Sequence, residues 1–299
     1  MSISEAVFRN TTIYSAEVQR ADEGLVHVIG YQNKAHSYGP NAMLLPFPAA
    51  GRVTRDNLVN GAGFKDILKV YQKAVQRLDP TARRAREFSS DLRLGSRSAV
   101  AKSFEVFESG SYTVALCEKA SALGAALKEV PENRRPNIPY PFLQELTRLY
   151  ADWPLALCCF NNAEFEAEPL FWWYKPRFPE VLFAPAVDAH NGKPPQLDTL
   201  VQRDHTIAFA SYASDRPIDS FVMRAIEQVP FEHQWLFDPH LCGRTLKGPG
   251  GNGDFAVPTA QVRDQKVEPW LELKVAKPPQ ERPDQWDRLL NGSLLADDA

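Results

Sequence analysis

Proline is spread along the whole sequence and limits what the chain can fold into, since it accounts for 24 of 299 residues. That share is about 8%, against about 5% in average proteins. A proline ring cannot continue the hydrogen bonds of a helix interior or of a central strand. We therefore expect short helices and strands joined by many ordered loops, and the composition argues against a bundle of long helices.

Charge and apolar content exclude several protein classes. The formal net charge of −3 argues against a general nucleic-acid binder, which usually carries a basic surface. The first ten residues do not have the pattern of a signal peptide, and no apolar run is long enough to span a membrane. The sequence contains no CxxC pair, so we expect a reduced, cytoplasmic protein. Its four cysteines are Cys117, Cys158, Cys159 and Cys242.

The pattern of apolar residues predicts a mixed α+β fold. Residues 12–19 and 25–32 are rich in strand-forming side chains and flank a turn that ends in Gly24, which predicts an opening hairpin. Apolar residues recur every three or four positions over 64–78, which predicts an amphipathic helix. Because strands do not alternate regularly with helices, we expect mixed or mainly antiparallel sheets, with about nine short strands and about four helices.

The later segments predict further elements. Continuous apolar runs at 154–160, 169–174 and 181–187 are typical of strands buried on both faces. Asp215 is positioned to cap a helix that runs to about residue 228. The glycine-rich residues 247–254 formally match GxGxxG, but an extended segment follows them, so we expect a flexible hairpin loop.

The domain organisation predicted from these elements is a single α+β domain over residues 1–275. A weak similarity between two apolar strands that end in proline leaves open a division into two related halves, 1–130 and 131–275. Residues 276–299 are predicted to form an extended, partly mobile tail.

The first candidate for a catalytic site combines Asp188 and His190, at the end of a predicted buried strand, with Asp204 and His205, at the start of the next strand. If the two strand ends meet, these side chains could bind a divalent metal or act as acid and base. The alternative is local turn chemistry, because an Asn-Gly dipeptide follows His190.

The second candidate is a metal site formed by His233, Asp238, His240 and Cys242. A strand would place Asp238, His240 and Cys242 on one face, and all three side chains are zinc ligands. Pro239 interrupts that strand, and the spacing matches no standard zinc motif. A buried cysteine that packs as a small apolar residue is the alternative.

Two further segments could contact a partner. Trp172, Trp173 and Tyr174 lie in an aromatic run next to Lys175 and Arg177, a combination that can stack on bases, sugars or peptides. Since alternate side chains of a strand point to opposite faces, at least half of these rings should be core. The second segment is a basic stretch that could contact an acidic partner or could form a solvated loop. It contains Arg83, Arg84 and Arg86.

Four segments of the sequence resemble an uncharacterised family of bacterial proteins. In that family, a strand ending in LP-x-P precedes an amphipathic helix, and a strand end of the form FPT-x-H-x-H-x-G stands where residues 184–192 stand here. Asp188 occupies the position of the first of those two histidines. The family has no known activity, so the resemblance bears on segment boundaries alone. The four segments are residues 40–48, 109–114, 139–146 and 169–193.

Together these patterns predict a non-enzymatic binding protein without a cofactor, which contacts a protein partner or a second copy of itself. The alternative is a metal-dependent hydrolase. In that case Asp188, His190 and His205 would hold a divalent metal, and Asp204 would assist as a base. A water bound to such a metal could attack an ester, an amide or a phosphate.

Overall fold

The computed structural model describes residues 2–3, 7–36, 39–78, 103–161, 164–166, 168–189, 192–264 and 271–291. Within these ranges it contains sixteen strands and six α-helices, and several strands span only two or three residues. The predicted mixed α+β class with mainly antiparallel sheets is confirmed. The predicted numbers, about nine strands and four helices, are too low, because very short strands are too brief to show a repeating apolar pattern.

One sheet has six strands, and three of its four six-residue strands are buried along their whole length. This burial on both faces explains why the sequences of those three strands are continuous apolar runs. Two helices, α2 (Leu123–Glu129) and α3 (Tyr140–Leu149), pack beside this sheet. The strand order is β12 (Asp188–Ala189), β1 (Ser2–Ile3), β4 (Asn41–Pro46), β8 (Leu155–Phe160), β7 (Tyr112–Cys117) and β6 (Phe104–Ser109).

A second sheet has seven strands and contains the predicted opening hairpin. Its first two strands along the chain pair antiparallel, and Gly24 adopts a φ of 73° where the turn ends. The order is β14 (Leu241–Gly251), β13 (Leu200–Ser211), β2 (Val7–Arg20), β3 (Gly24–His36), β10 (Leu170–Tyr174) and β5 (Leu58–Asn60), with β9 (Glu164–Glu166) paired to β3. The β2–β13 pair is parallel, which makes the sheet mixed.

A third, smaller sheet consists of β11 (Val181–Ala184), β15 (Asp254–Pro258) and β16 (Val275–Ala276). Residues 247–251 of the glycine-rich segment form the end of β14 and pair with β13, and residues 252–253 lead into β15, which lies in a different sheet. The expected hairpin loop is wrong, because the sequence pattern around these glycines does not show which strands they connect.

The core forms two layers, one on each face of the seven-stranded sheet. One face packs toward the six-stranded sheet through residues such as Ile13 and Trp172. The opposite face carries Tyr14 and Phe171 and is covered by α1 (Ile67–Leu78) and α4 (Ser220–Ile226). Neighbouring residues of a strand thus contribute to different layers, as the period of two requires.

The chain after β15 is helical in part. A short helix, α5 (Thr259–Arg263), follows that strand directly. Another, α6 (Pro283–Leu290), lies within the predicted extended tail, and Trp286 packs against Trp153 with ring centroids 5.9 Å apart. Burial of this tryptophan anchors the helix on the core. Among the described residues, no helix has the length and apolar character needed to cross a membrane.

Candidate functional site

Asp188 lies in β12 and is nearly buried. Its backbone amide donates a 2.8 Å hydrogen bond to Oδ1 of Asn252, and Nδ2 of Asn252 donates a 2.9 Å bond to the carbonyl of Asp188. This reciprocal pair ties β12 to the glycine-rich segment. Sequence reasoning missed the role of Asn252, because glycines on both sides of it suggested a loop without specific contacts.

Asp254 is a buried carboxylate at the end of that glycine-rich segment. Its Oδ1 accepts hydrogen bonds from the amides of Ala186 and Val187, at 2.8 and 3.1 Å, and its Oδ2 accepts a 2.6 Å bond from the Tyr150 hydroxyl. Burial raises the pKa of Asp254, and the bonds from Tyr150 and the two amides oppose that shift. Because its side chain is closed off from solvent, this carboxyl group can hold the chain but cannot reach a substrate.

Arg203 completes this buried polar cluster. Its guanidinium stacks over the ring of Phe255 at 4.7 Å and donates to the carbonyl of Gly251. Burial lowers the pKa of Arg203, and the carboxylates of Asp188 and Asp254 oppose the shift. These two contacts attach the Arg203 side chain of β13 to the glycine-rich segment and to β15.

The proposed hydrolase residues are not all described by the structure, since His190 lies outside the described residues. Asp204 is partly exposed, and its Oδ2 accepts a 2.8 Å hydrogen bond from the amide of Asn10. Asp204 and His205 are neighbours in β13, so their side chains leave the strand on opposite faces. The hydrolase site stays a prediction.

Among the described residues, no group of three or more histidine, cysteine, aspartate or glutamate side chains is arranged to hold an ion, and the second candidate metal site stays a prediction. Nδ1 of His240 lies 2.7 Å from Oδ1 of Asp238. Burial raises the pKa of the Cys242 thiol to about 12. His233 instead packs on the ring of Phe64, with centroids 5.8 Å apart.

The aromatic run is divided between the two core layers. Trp172 and Tyr174 are buried toward the six-stranded sheet, where both pack on Phe47. Trp173 lies on the other face, with the guanidinium of Arg20 4.3 Å from its ring. The prediction that at least half of these rings belong to the core is therefore confirmed. Arg83, Arg84 and Arg86 lie outside the described residues.

Sequence reasoning missed a segment of the chain in which most of the exposed large apolar side chains that the structure describes are concentrated. Seven large apolar side chains are exposed in the described residues, and five of them fall within positions 212–231. Ile218 is 56% exposed and Phe231 is 88% exposed. We call this region the apolar surface. It consists of Tyr212, Ile218, Phe221, Met223 and Phe231.

The helix at the centre of the apolar surface is held by Asp219. Its Oδ1 accepts hydrogen bonds from the amides of Phe221 and Val222, at 2.9 and 3.0 Å, and so caps α4. The predicted cap, Asp215, stands four residues earlier and is not the N-cap. Arg77 of α1 pairs with Asp219 at 2.8 Å and stacks over the Phe221 ring at 4.7 Å. These contacts join α4 to the last turn of α1.

The segment that leads into α4 is also fixed. Arg216 is buried, and its Nε donates a 2.9 Å hydrogen bond to the carbonyl of Val262. The amide of Asp215 donates a 3.2 Å bond to the carbonyl of Arg263. The exposed apolar side chains therefore stand on backbone that is hydrogen-bonded to the rest of the fold.

Comparison with known proteins yields structural neighbours alone. No protein-family model and no curated protein sequence matches the chain. The protein in a crystal structure of baculovirus P35 shares 15% sequence identity with this chain, and the two structures superpose with a TM-score of 0.38. The alignment covers 69% of this chain and 64% of the P35 chain, so it spans less than two thirds of P35. A crystal structure of a mutated baculovirus P35 after caspase cleavage is 13% identical with a TM-score of 0.41, and 83% of this chain and 90% of that one are covered.

Proposed function

We propose that this protein is a non-enzymatic interaction protein that binds another protein through the apolar surface. The observation that carries the proposal is the concentration of five exposed large apolar side chains within twenty residues of the chain. Single exposed apolar residues are ordinary, whereas contiguous apolar patches on a folded protein commonly mark interaction sites. A partner with a complementary apolar face is the ligand that fits this surface.

Each large apolar side chain of this surface that a partner covers would favour binding. Full burial of one large apolar side chain stabilises a complex by about 1.5–3 kcal/mol. Ile218 and Met223 are exposed and available to a partner, whereas Val222 of the same segment is buried in the core. Because the Asp219 cap and the Arg216 anchor already fix the backbone, a partner would lose little free energy in ordering it.

The proposal includes a location in the reducing cytoplasm. All four cysteines are buried free thiols, as is usual in proteins of that compartment. A partner in the same compartment could therefore reach the apolar surface without any change in disulfide state.

Site-specific photo-crosslinking in cells tests the proposal. A photo-reactive phenylalanine analogue placed at Phe231 should form a discrete crosslinked product with a partner protein. Adding Ile218→Ser and Met223→Ser to the same chain should remove that product. Both side chains are substantially exposed, so the substitutions should leave the melting temperature nearly unchanged.

The matched control uses exposed apolar residues that lie outside the apolar surface. Tyr140 and Leu200 are 70% and 75% exposed, so an analogue at either position is equally accessible. Crosslinking to the same protein from these positions, or persistence of the product with Ile218→Ser and Met223→Ser, would refute the proposed surface. Light scattering over a concentration series then distinguishes a second copy of this chain from a different partner.

A further inference from the structure

An open groove with a volume of 570 Å³ lies at the end of the six-stranded sheet. This volume is in the range of small-ligand sites, which is about 300–1,000 Å³. Short side chains at 49–51, together with Pro154, leave space between four charged side chains. We call it the charged groove, and its charged residues are Arg52, Glu118, Asp152 and Arg177.

Backbone hydrogen bonds between two chain segments hold the walls of the charged groove. One segment follows β4 and the other follows β10, and they meet in an isolated antiparallel bridge between Ala49 and Pro176. The amide of Ala50 donates a 2.9 Å bond to the carbonyl of Lys175, and the amide of Arg177 donates a 2.8 Å bond to the carbonyl of Pro48. The groove is therefore already formed in the free protein.

Each guanidinium in the groove is oriented by one carboxylate. Nε of Arg52 lies 2.9 Å from Oε1 of Glu118, and Nη1 of Arg177 donates to Oδ2 of Asp152. A guanidinium has five N–H donors, and one carboxylate accepts at most two of them in a paired geometry. Both arginines consequently retain donors for a ligand, and both carboxylates retain acceptor lone pairs.

Charge balance decides which ligand fits. The four side chains carry two positive and two negative charges, so their sum is zero. A phosphate or a dicarboxylate would meet Glu118 and Asp152 as well as the arginines, and a polyamine would meet both guanidiniums. Like charges placed together across an interface oppose binding. A ligand that carries one acidic and one basic group satisfies both kinds of side chain.

We propose that the charged groove binds a peptide segment that presents one acidic and one basic side chain. The acidic group pairs with the free donors of Arg52 or Arg177, and the basic group pairs with Glu118 or Asp152. The groove shares no residue with the apolar surface. The proposal therefore does not depend on the function proposed above, and either one can fail alone.

Isothermal titration with three short peptides tests the proposal on the full chain. The probes are acetylated and amidated lysyl-glutamate, glutamyl-glutamate and lysyl-lysine, which have blocked ends and differ in side-chain charge alone. The lysyl-glutamate peptide should bind at least about tenfold more tightly than either of the others. Equal binding of all three, tighter binding of glutamyl-glutamate or lysyl-lysine, or no binding of lysyl-glutamate would overturn the proposal.

Charge substitutions provide a readout that simple loss of structure would not produce. Arg52→Gln leaves the groove with a net negative charge and should shift the preference toward lysyl-lysine. Glu118→Gln should shift it toward glutamyl-glutamate. Lys69→Gln removes an ion-paired cation of α1, on the opposite side of the seven-stranded sheet, and should leave the order of affinities unchanged. If the preference does not follow these substitutions, the peptides bind elsewhere and the assignment is wrong.

Discussion

Substitution of His27 should change how stability depends on pH. His27 lies in β3, and in the register of the sheet it stands between Glu17 of β2 and Tyr174 of β10. Its side chain is buried, and its ring contacts that of Tyr174 with centroids 6.1 Å apart. Burial lowers the pKa of His27 from 6.5 to about 4, and the negative charge of Glu17 opposes that shift.

The sign and size of the effect follow from the two pKa values. Between pH 6.5 and about 4, His27 binds a proton in the unfolded chain but stays neutral in the folded chain, so the free energy of unfolding falls as the pH is lowered. The difference corresponds to about 3 kcal/mol once the pH is below both values, at about 1.4 kcal/mol per pH unit. About 2 kcal/mol of this should already be lost between pH 7.5 and pH 5.

Chemical unfolding of wild type, His27→Phe and His27→Leu at several pH values measures this loss. Both variants remove the titrating group, although they differ in how well they pack. Their stability relative to wild type should therefore rise by about 2 kcal/mol when the pH falls from 7.5 to 5. Tyr174→Phe is the control, because burial raises the pKa of Tyr174 and its hydroxyl does not titrate in this range.

The result that would refute the reasoning is a constant difference between wild type and both His27 variants. A change of less than about 0.5 kcal/mol over that pH range would mean that His27 binds its proton equally well in the folded and unfolded chains. The argument from burial would then be wrong, whatever the absolute stability of the variants.

Three further predictions concern buried groups and one turn. Arg263→Leu should lower the free energy of unfolding by about 3 kcal/mol in chemical denaturation, because it leaves the buried carboxylate of Glu17 without its partner. Gly110→Ala should lower the melting temperature more than Gly51→Ala does, since Gly110 has a φ of 57° and its new methyl group would collide with Glu168. Burial raises the pKa of every thiol, so a thiol reagent should react with the native chain far more slowly than with the unfolded one. The thiols belong to Cys117, Cys158, Cys159 and Cys242.

Local sequence patterns predicted the strands and helices that are long enough for their apolar residues to recur at a regular spacing. The opening hairpin was predictable because two alternating segments flank a turn, and helix α1 was predictable because its apolar residues recur with helical spacing. The division of the aromatic run also followed from local geometry, since neighbouring strand residues face opposite layers. The helix α6 within the predicted extended tail was not predictable from local patterns, because the burial of Trp286 depends on the distant Trp153.

The sequence by itself determined the mixed α+β class, the exclusion of long helices and the residues available for chemistry, because these depend on composition and on contacts between near neighbours. The tertiary structure alone decided that Asn252 holds β12 and Asp254 the two residues before it, that Asp219 caps α4, and that the four charged side chains of the groove come together. Those four residues span more than a hundred positions of the chain. Contacts over such distances depend on strand order and sheet packing, which a local pattern does not encode.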